Sequence, residues 1–140
     1  MIAVIRISGQ VKLRRDVKET LFRMRLRKKY SCVVLPENEE TISMLKKIEN
    51  FVAYGKINKE TLKELIEKRG KTIGKQKINS EKIVTELTEG KTMKKLKDFG
   101  LKPFFRLHPP RKGINSKKHF PKGVLGDNKE KINDLIKRML

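Results

Sequence analysis

The stretch YSCVVLPENEETISMLKKIENFVAYG, residues 30–55, decides the fold, because it contains two strand patterns with a helix pattern between them. Tyr30 to Leu35 is rich in β-branched and apolar residues, and Pro36 stops it, which is typical of a strand that ends there. Phe51 to Tyr54 predicts a further strand, closed by Gly55. This part of the chain therefore predicts a strand, a helix and a second strand.

The helix between these strands has a clear start and an apolar face. Asn38 suits the N-cap, and the two glutamates that follow complement the helix dipole in the first turn. Its predicted inward stripe is Ile42, Leu45 and Ile48. These positions follow the three- and four-residue spacing of one helical face.

The residues that precede this stretch predict another strand and helix. The first strand comprises Ala3, Val4, Ile5 and Ile7, interrupted by Arg6. A basic turn, Gln10 to Arg15, leads to a helix over residues 16–27 with Val17, Leu21 and Met24 on one face. Residues 1–57 are thus predicted to form a strand–helix–strand–helix–strand core.

Beyond residue 57 the chain changes to short, Lys-rich helices. One runs from Asn58 to Gly70 with Leu62, Leu65 and Ile66 buried, and one from Ser80 to Gly90 with Ile83, Val84 and Leu87 buried. A third uses Met93, Leu96 and Phe99 before Gly100. The last begins with a capping box of Asp127 and Glu130 and buries Ile132, Leu135, Ile136 and Met139. Residues 58–140 are therefore predicted to be a helical and basic extension packed on the core.

The charge balance points to a polyanionic partner. The 140 residues contain 36 Lys and Arg against 16 Asp and Glu, a formal net charge of +20. Self-repulsion at this charge opposes compactness unless an anion neutralises it, as nucleic acid does. No apolar run approaches the roughly 20 residues that span a bilayer. Cys32, the only cysteine, excludes an internal disulfide and favours a cytoplasmic location.

The segment Lys102 to Lys122, KPFFRLHPPRKGINSKKHFPK, is called the basic tract below. It holds seven Lys or Arg and no acid, interleaved with three phenylalanines and two histidines. Cations beside flat rings favour RNA over a membrane surface, because bases stack on the rings. Phe104 and Phe105 are adjacent, so in a strand one faces the core and the other the opposite side.

Catalytic and metal chemistry find no support in the sequence. The Gly-Lys-Thr triplets at 70–72 and 90–92 lack the glycine five positions earlier that a phosphate-binding loop needs. His108, His119 and the distant Cys32 have no zinc-ligand spacing. The acids mostly alternate with lysines, as expected for solvated helix faces. We predict no enzyme, no cofactor and no metal.

With these elements in place, the chain resembles the large-subunit ribosomal protein family numbered thirty. RISGQVKLRRDVKETLFRMRLRKKYSCVVLPENEETISMLKKIENFVAYG is similar to the family core. LKPFFRLHPPRKG, FPKGVLG and EKINDLIKRML are similar to the extension of its archaeal-type members. The resemblance implies an α+β fold, a small three-stranded antiparallel sheet with two helices on one face, similar to the ferredoxin-like fold. It further implies a structural role on large-subunit rRNA, with 5S rRNA and neighbouring ribosomal proteins as further partners.

In this interpretation the cations of the first turn, the first helix and the basic tract contact RNA, while His108, His119 and Phe120 lie near bases. The predicted RNA-binding residues are Lys12, Arg14, Arg15, Arg23, Arg27, Lys28, Lys29, Arg106, His108, Arg111, Lys112, Lys117, Lys118, His119, Phe120 and Lys122. A free ribosome-assembly or RNA-processing factor on the same core is the alternative. A DNA-binding regulator is disfavoured, because helices 58–69 and 80–89 mix Lys with Glu and lack the Arg, Asn and Gln of a reading helix.

Overall fold

The protein has a mixed α+β fold, seen in a computed structural model that describes residues 1–74, 79–89 and 100–140. The strands are β1 (Ile2–Arg6), β2 (Ser31–Leu35), β3 (Val52–Lys56), β4 (Phe105–Arg106) and β5 (Gly126–Asp127). The helices are α1 (Arg15–Arg23), α2 (Glu39–Ile48), α3 (Lys59–Arg69), α4 (Ser80–Thr88) and α5 (Ile132–Met139), with a 3-10 turn at Lys129–Lys131. None of the helices in these ranges is long and apolar enough to cross a membrane.

The five strands form one sheet in the order β4-β2-β1-β3-β5. β1 pairs antiparallel with β2 on one side and β3 on the other, so Val4 lies between Val33 and Tyr54. β4 adds antiparallel to β2, and β5 adds parallel to β3. The sheet therefore has five strands, and the prediction of three is wrong. The sequence does not reveal the two edge strands, because each has only two residues and shows no alternating pattern.

One face of the sheet carries α1 and α2. Ile2, Val4, Val33 and Val52 pack in one cluster with Val17, Leu21, Leu45 and Ile48 of the two helices. The predicted place of Ile42 in this stripe is wrong, since its side chain is 39% exposed. Thr41 is buried in its place, because positions 41, 45 and 48 follow the four- and three-residue spacing of one face. The likeness to a ferredoxin-like fold stays a prediction.

The opposite face carries α3, α4 and α5. Its cluster joins Ala3, Ile5, Cys32, Val34 and Ala53 of the sheet to Leu62, Leu65, Ile66, Ile83, Leu87, Ile132, Leu135, Ile136 and Met139. The buried residues predicted for α3 and α5 are thus confirmed, whereas Val84 of α4 is only half-buried. Phe105 enters this core with no exposed surface, while Phe104 packs half-buried toward the α1 and α2 side. The predicted helix of Met93, Leu96 and Phe99, like Gly90, lies outside the described residues.

Helix α1 ends earlier than predicted, at Arg23 and not at residue 27. The N–H of Leu26 donates to the carbonyl of Leu21 at 2.8 Å, and the N–H of Arg25 donates to that of Phe22 at 3.0 Å. These two bonds are those of a Schellman motif, which ends a helix with one residue in the left-handed region. Here that residue is Arg25, with φ +61°.

The start of the last helix also differs from its prediction. Asp127 accepts a hydrogen bond from the N–H of Lys129 at 2.9 Å, so the predicted capping box with Glu130 does not form. The 3-10 turn that follows lies directly on β3. A Cβ on Gly55 would come within 2.2 Å of the Lys129 carbonyl oxygen, so only glycine fits there. Gly55 lies inside β3, where it pairs with Ala3 of β1, so it does not close the strand as predicted.

Polar bonds fix α5 to the core as well. The buried Asn133 donates to the carbonyls of Lys56 at 3.0 Å and Glu130 at 2.7 Å, and accepts from the N–H of Asn58 at 2.9 Å. Arg69 donates to the carbonyl of Leu140 at 2.6 Å. The end of the chain is therefore held to both ends of α3.

We expect Leu135→Ala to lower the free energy of unfolding by about 2–5 kcal/mol, because Leu135 is 4% exposed within the α5 core. Lys137→Ala is the matched control on the exposed side of α5 and should change stability by less than about 0.5 kcal/mol. Urea denaturation of the two variants measures both values. Equal, small losses would mean that α5 does not dock as described.

Candidate nucleic-acid interface

Arg6 is a buried arginine at the end of β1, with 2% of its surface exposed. Its Nε donates to the carbonyl of Ser8 at 3.0 Å and its Nη2 to that of Gly9 at 2.9 Å. Its Nη1 donates to the carbonyls of Leu26 at 2.7 Å and Arg27 at 3.0 Å. Burial lowers the pKa of this guanidinium from its ordinary value. The four carbonyl bonds compensate for its desolvation.

These bonds hold two basic segments of the chain together. One is the basic turn, residues 10–15, which follows Gly9, and the other is the α1–β2 loop, residues 24–30. Gln10 adds a third link, since its Nε2 donates to the carbonyl of Arg27 at 2.7 Å. The exposed cations of both segments, predicted as RNA-binding, therefore lie on one continuous part of the surface.

Against the part of the chain that the structure describes, the exposed cations of the basic turn and of α1 form weak ion pairs or none. Lys12 is exposed at φ +56°, and Arg15 is exposed at the start of α1. Arg14 is 83% exposed and lies 3.4 Å from Asp16, while Arg23 forms an i,i+4 pair with Glu19. Such exposed pairs contribute little, so a phosphate can replace the carboxylate.

Three cations near the α1–β2 loop lie over aromatic rings. Arg27 lies 4.6 Å from the centroid of Phe22, and Lys29 lies 4.9 Å from that of Tyr30. Arg106, on β4, lies 5.5 Å from the centroid of Phe104. Arg27 and Arg106 line one small cleft together with Arg25, Ser31 and Phe104. The structure thus brings part of the basic tract next to the loop after α1.

The rest of the basic tract runs to the other edge of the sheet. After β4, the N–H groups of His108 and Arg111 donate to the carbonyls of Met139 and Arg138 at 2.9 and 3.1 Å. The chain then reaches β5, where the N–H of Phe120 donates to the carbonyl of Leu125 at 2.9 Å. Four strand spacings separate the two edges, roughly 19 Å. The predicted site residues therefore form two groups and not one.

The group at the β5 edge already has partners in the protein. The Nε2 of His119 lies 2.7 Å from Asn50 Oδ1, and the amino group of Lys131 lies 5.6 Å from the ring centroid of Phe120. His108, between the edges, lies with Nδ1 2.8 Å from the carbonyl of Pro109. Arg111, Lys112, Lys117, Lys118 and Lys122 are exposed. Lys28 is exposed in the α1–β2 loop.

Comparison with known proteins identifies the family of this chain. Residues 2–52 match the profile of the family Ribosomal protein L30p/L7e. Archaeal proteins named "Large ribosomal subunit protein uL30" are similar along nearly the whole chain. The one from Archaeoglobus fulgidus is 44% identical, covering 99% of both chains. The chain belongs to the uL30 family.

Two further uL30 proteins have similar coverage. The Methanococcus vannielii protein is 43% identical over 99% of this chain and 98% of its own. That of Nanoarchaeum equitans is 39% identical over 99% of this chain and 97% of its own. The resemblance to archaeal-type members with the extension is therefore confirmed. The uL30 family is one of ribosomal proteins and not of enzymes, as the sequence predicts.

Some residues that build this uL30 surface were missed in the sequence. In the sequence, Arg6 is only an interruption of an apolar strand. A buried arginine needs several hydrogen-bond acceptors, so an arginine in such a strand indicates that loop carbonyls lie around it. Arg25 and Phe104 were not assigned to the site. The sequence gives no signal for Phe104, because pairing of β4 with β2 brings it to this surface.

The described residues also offer little reactive chemistry. Burial raises the pKa of the Cys32 thiol to about 12, so it is a core group in β2 and not a nucleophile. Within residues 1–74, 79–89 and 100–140, no three His, Cys, Asp or Glu side chains cluster in a way that could hold a metal.

We expect Arg6→Lys to lower the free energy of unfolding by roughly 1.5–3 kcal/mol. An ammonium cannot reach the same carbonyls as the guanidinium fork, so buried acceptors lose their donors. Arg14→Lys, at a largely exposed arginine, is the control and should shift stability by less than about 0.5 kcal/mol. Chemical denaturation compares the two, and a similar result for both would show that Arg6 is dispensable.

We expect Cys32 to resist a disulfide-exchange reagent at pH 8 in the folded protein and to react fully in denaturant, because its thiol is buried. The free energy of unfolding, measured as a function of pH, gives a second readout. The folded thiol ionises near pH 12 and the unfolded one near 9.0, so stability falls as pH rises from about 9. Rapid labelling without denaturant would indicate that β2 opens locally.

Proposed function

We propose that this protein is a structural constituent of the large ribosomal subunit, where it binds and stabilises folded large-subunit rRNA in the cytoplasm. The observation that carries the proposal is the near full-length similarity to proteins named as large ribosomal subunit protein uL30. The net charge of +20 supports it, since a folded RNA supplies the counter-charge that such a chain needs. No observation favours the free assembly factor.

The main RNA contact is proposed to be the surface that Arg6 organises. It combines the basic turn, the exposed side of α1, the α1–β2 loop and β4. Its cations are Lys12, Arg14, Arg15, Arg23, Arg27, Lys28, Lys29 and Arg106. All eight are exposed, and three of them, Arg27, Lys29 and Arg106, lie over aromatic rings, which suits contact with backbone phosphates and neighbouring bases.

A second contact is proposed on the remainder of the basic tract, with His108, Arg111, Lys112, Lys117, Lys118, His119, Phe120 and Lys122. Because the tract crosses from one sheet edge to the other, the two contacts can hold separate RNA segments. We also propose contact with 5S rRNA and with neighbouring ribosomal proteins. For the fold, we propose that β1, β2 and β3, with α1 and α2 on one face, form a ferredoxin-like arrangement.

The proposal is tested by fractionating cell extracts on sucrose gradients and quantifying the protein by mass spectrometry. A structural constituent stays with the large subunit in equal amount with its other proteins, also at raised salt. A protein that leaves the mature subunit and sediments only with precursors would instead be an assembly factor.

We expect the double variant Arg14→Gln and Arg15→Gln to weaken binding across many RNAs and to flatten its salt dependence. Each phosphate contact contributes roughly 0.7–0.9 to the logarithmic slope, so the loss of two should lower it by about 1.4–1.8. Lys46→Gln with Lys47→Gln removes the same charge from exposed positions on α2 outside the proposed contact. Filter binding at several salt concentrations separates the two, and identical slopes would remove the basic turn from the contact.

A further inference from the structure

The small cleft beside β4 has an unusual lining. Its five residues are Arg25, Arg27, Ser31, Phe104 and Arg106. The cleft holds about 160 Å³, below the roughly 300–1,000 Å³ of sites for drug-sized ligands. No carboxylate belongs to this lining, and none of its three arginines forms an ion pair with the described residues. The cleft is therefore suited to one small anionic group with an adjoining flat surface.

The backbone of Arg25 is a second, independent observation. It occupies the left-handed position of the Schellman motif that ends α1, at φ +61°. Glycine is the usual residue there, because a side chain in this region is strained. At this position the chain instead carries an arginine, so the end of α1 presents a cation where a glycine would present no side chain. The arginine side chain lines the cleft.

Contacts within the protein fix the positions of the other two arginines. The backbone carbonyl of Arg27 accepts hydrogen bonds from the side chains of Arg6 and Gln10. The guanidinium of Arg27 lies over the Phe22 ring. Arg106 lies over the ring of Phe104, which is half-buried. A guanidinium that stacks on a ring keeps its other face available for a base.

We propose that this cleft is a subsite for one unpaired nucleotide of the bound RNA. Arg25 and Arg27 bind the phosphate of that nucleotide, and its base stacks against the Phe104–Arg106 pair. The inference rests on the proposed function and names which RNA feature this part of the surface takes. A paired base is excluded, because its faces are already stacked within the helix.

Arg25→Gly tests the phosphate half of the subsite. Relief of the strained backbone should leave the melting temperature unchanged or raise it by roughly 1–4 °C. Affinity for a transcript of large-subunit rRNA should nevertheless fall, with a salt slope lower by about 0.7–0.9. Lys129→Gly is the control: it removes one exposed cation at positive φ, outside the cleft and outside the proposed RNA contacts. It should keep the parent slope.

Phe104→Leu tests the base half. Leucine retains apolar contact with the core but offers no ring, so affinity for a short single-stranded RNA carrying 2-aminopurine should fall about 5- to 100-fold. The quenching of 2-aminopurine fluorescence on binding should decrease, while the salt slope stays that of the parent. Phe104→Tyr keeps the ring and should behave like the parent. A duplex of the same sequence should bind parent and Phe104→Leu equally.

The outcomes separate the subsite from the function on which it rests. If the variant of Arg14 and Arg15 loses affinity while Arg25→Gly and Phe104→Leu bind like the parent, RNA binding stands and the subsite is wrong. Equal losses of Phe104→Leu on single strand and duplex would also overturn it. If none of these variants changes binding, the contact surface under the proposed function fails as well.

Discussion

Strand β1 is buried on both faces, so its alternate side chains serve two separate cores. Ile2 and Val4 belong to the cluster under α1 and α2, while Ala3 and Ile5 belong to the cluster under α3, α4 and α5. Every other strand is placed relative to β1, directly or through β2 and β3. Arg6 lies at the end of this strand. Since the strand is fixed on two sides, the guanidinium is fixed too, and with it the loops whose carbonyls it binds.

This arrangement makes the electropositive surface depend on the core. Cations that repel one another would separate if they were mounted on mobile loops. The buried guanidinium binds only backbone oxygens, so it fixes the loops without using their cationic side chains. Those side chains remain exposed for another partner. In this way the chain carries a high density of like charge on a stable fold.

The sequence predicted what regular patterns encode. The core strands, helices α1 to α5 and most of their buried faces follow from periods of two and 3.6 residues. The two-residue edge strands could not be found, because pairing with β2 and β3 defines them and not their own residues. The burial of Thr41 in place of Ile42 depends on which side of α2 faces the sheet. Positions 41, 45 and 48 face the core, so the smaller Thr41 is buried while the larger Ile42 is 39% exposed.

The sequence predicted most of the residues that the candidate site contains, but not how they are arranged. Composition indicated RNA, and the cations were visible one by one. The division of the basic tract between two sheet edges depends on long-range pairing, which local sequence does not contain. The left-handed Arg25 was also hidden, since α1 lacks the glycine that usually announces such an end.

The late position of β4 and β5 has a consequence for how the chain is made. β5 lies about 70 residues after the strand with which it pairs. At about 5–20 residues per second, its synthesis follows that of β3 by roughly 4 to 14 s. During that interval the first three strands have both outer edges unpaired, and open edges invite association with other chains. The nascent protein therefore keeps two open sheet edges until its last 40 or so residues emerge, and slower translation of the extension lengthens that interval.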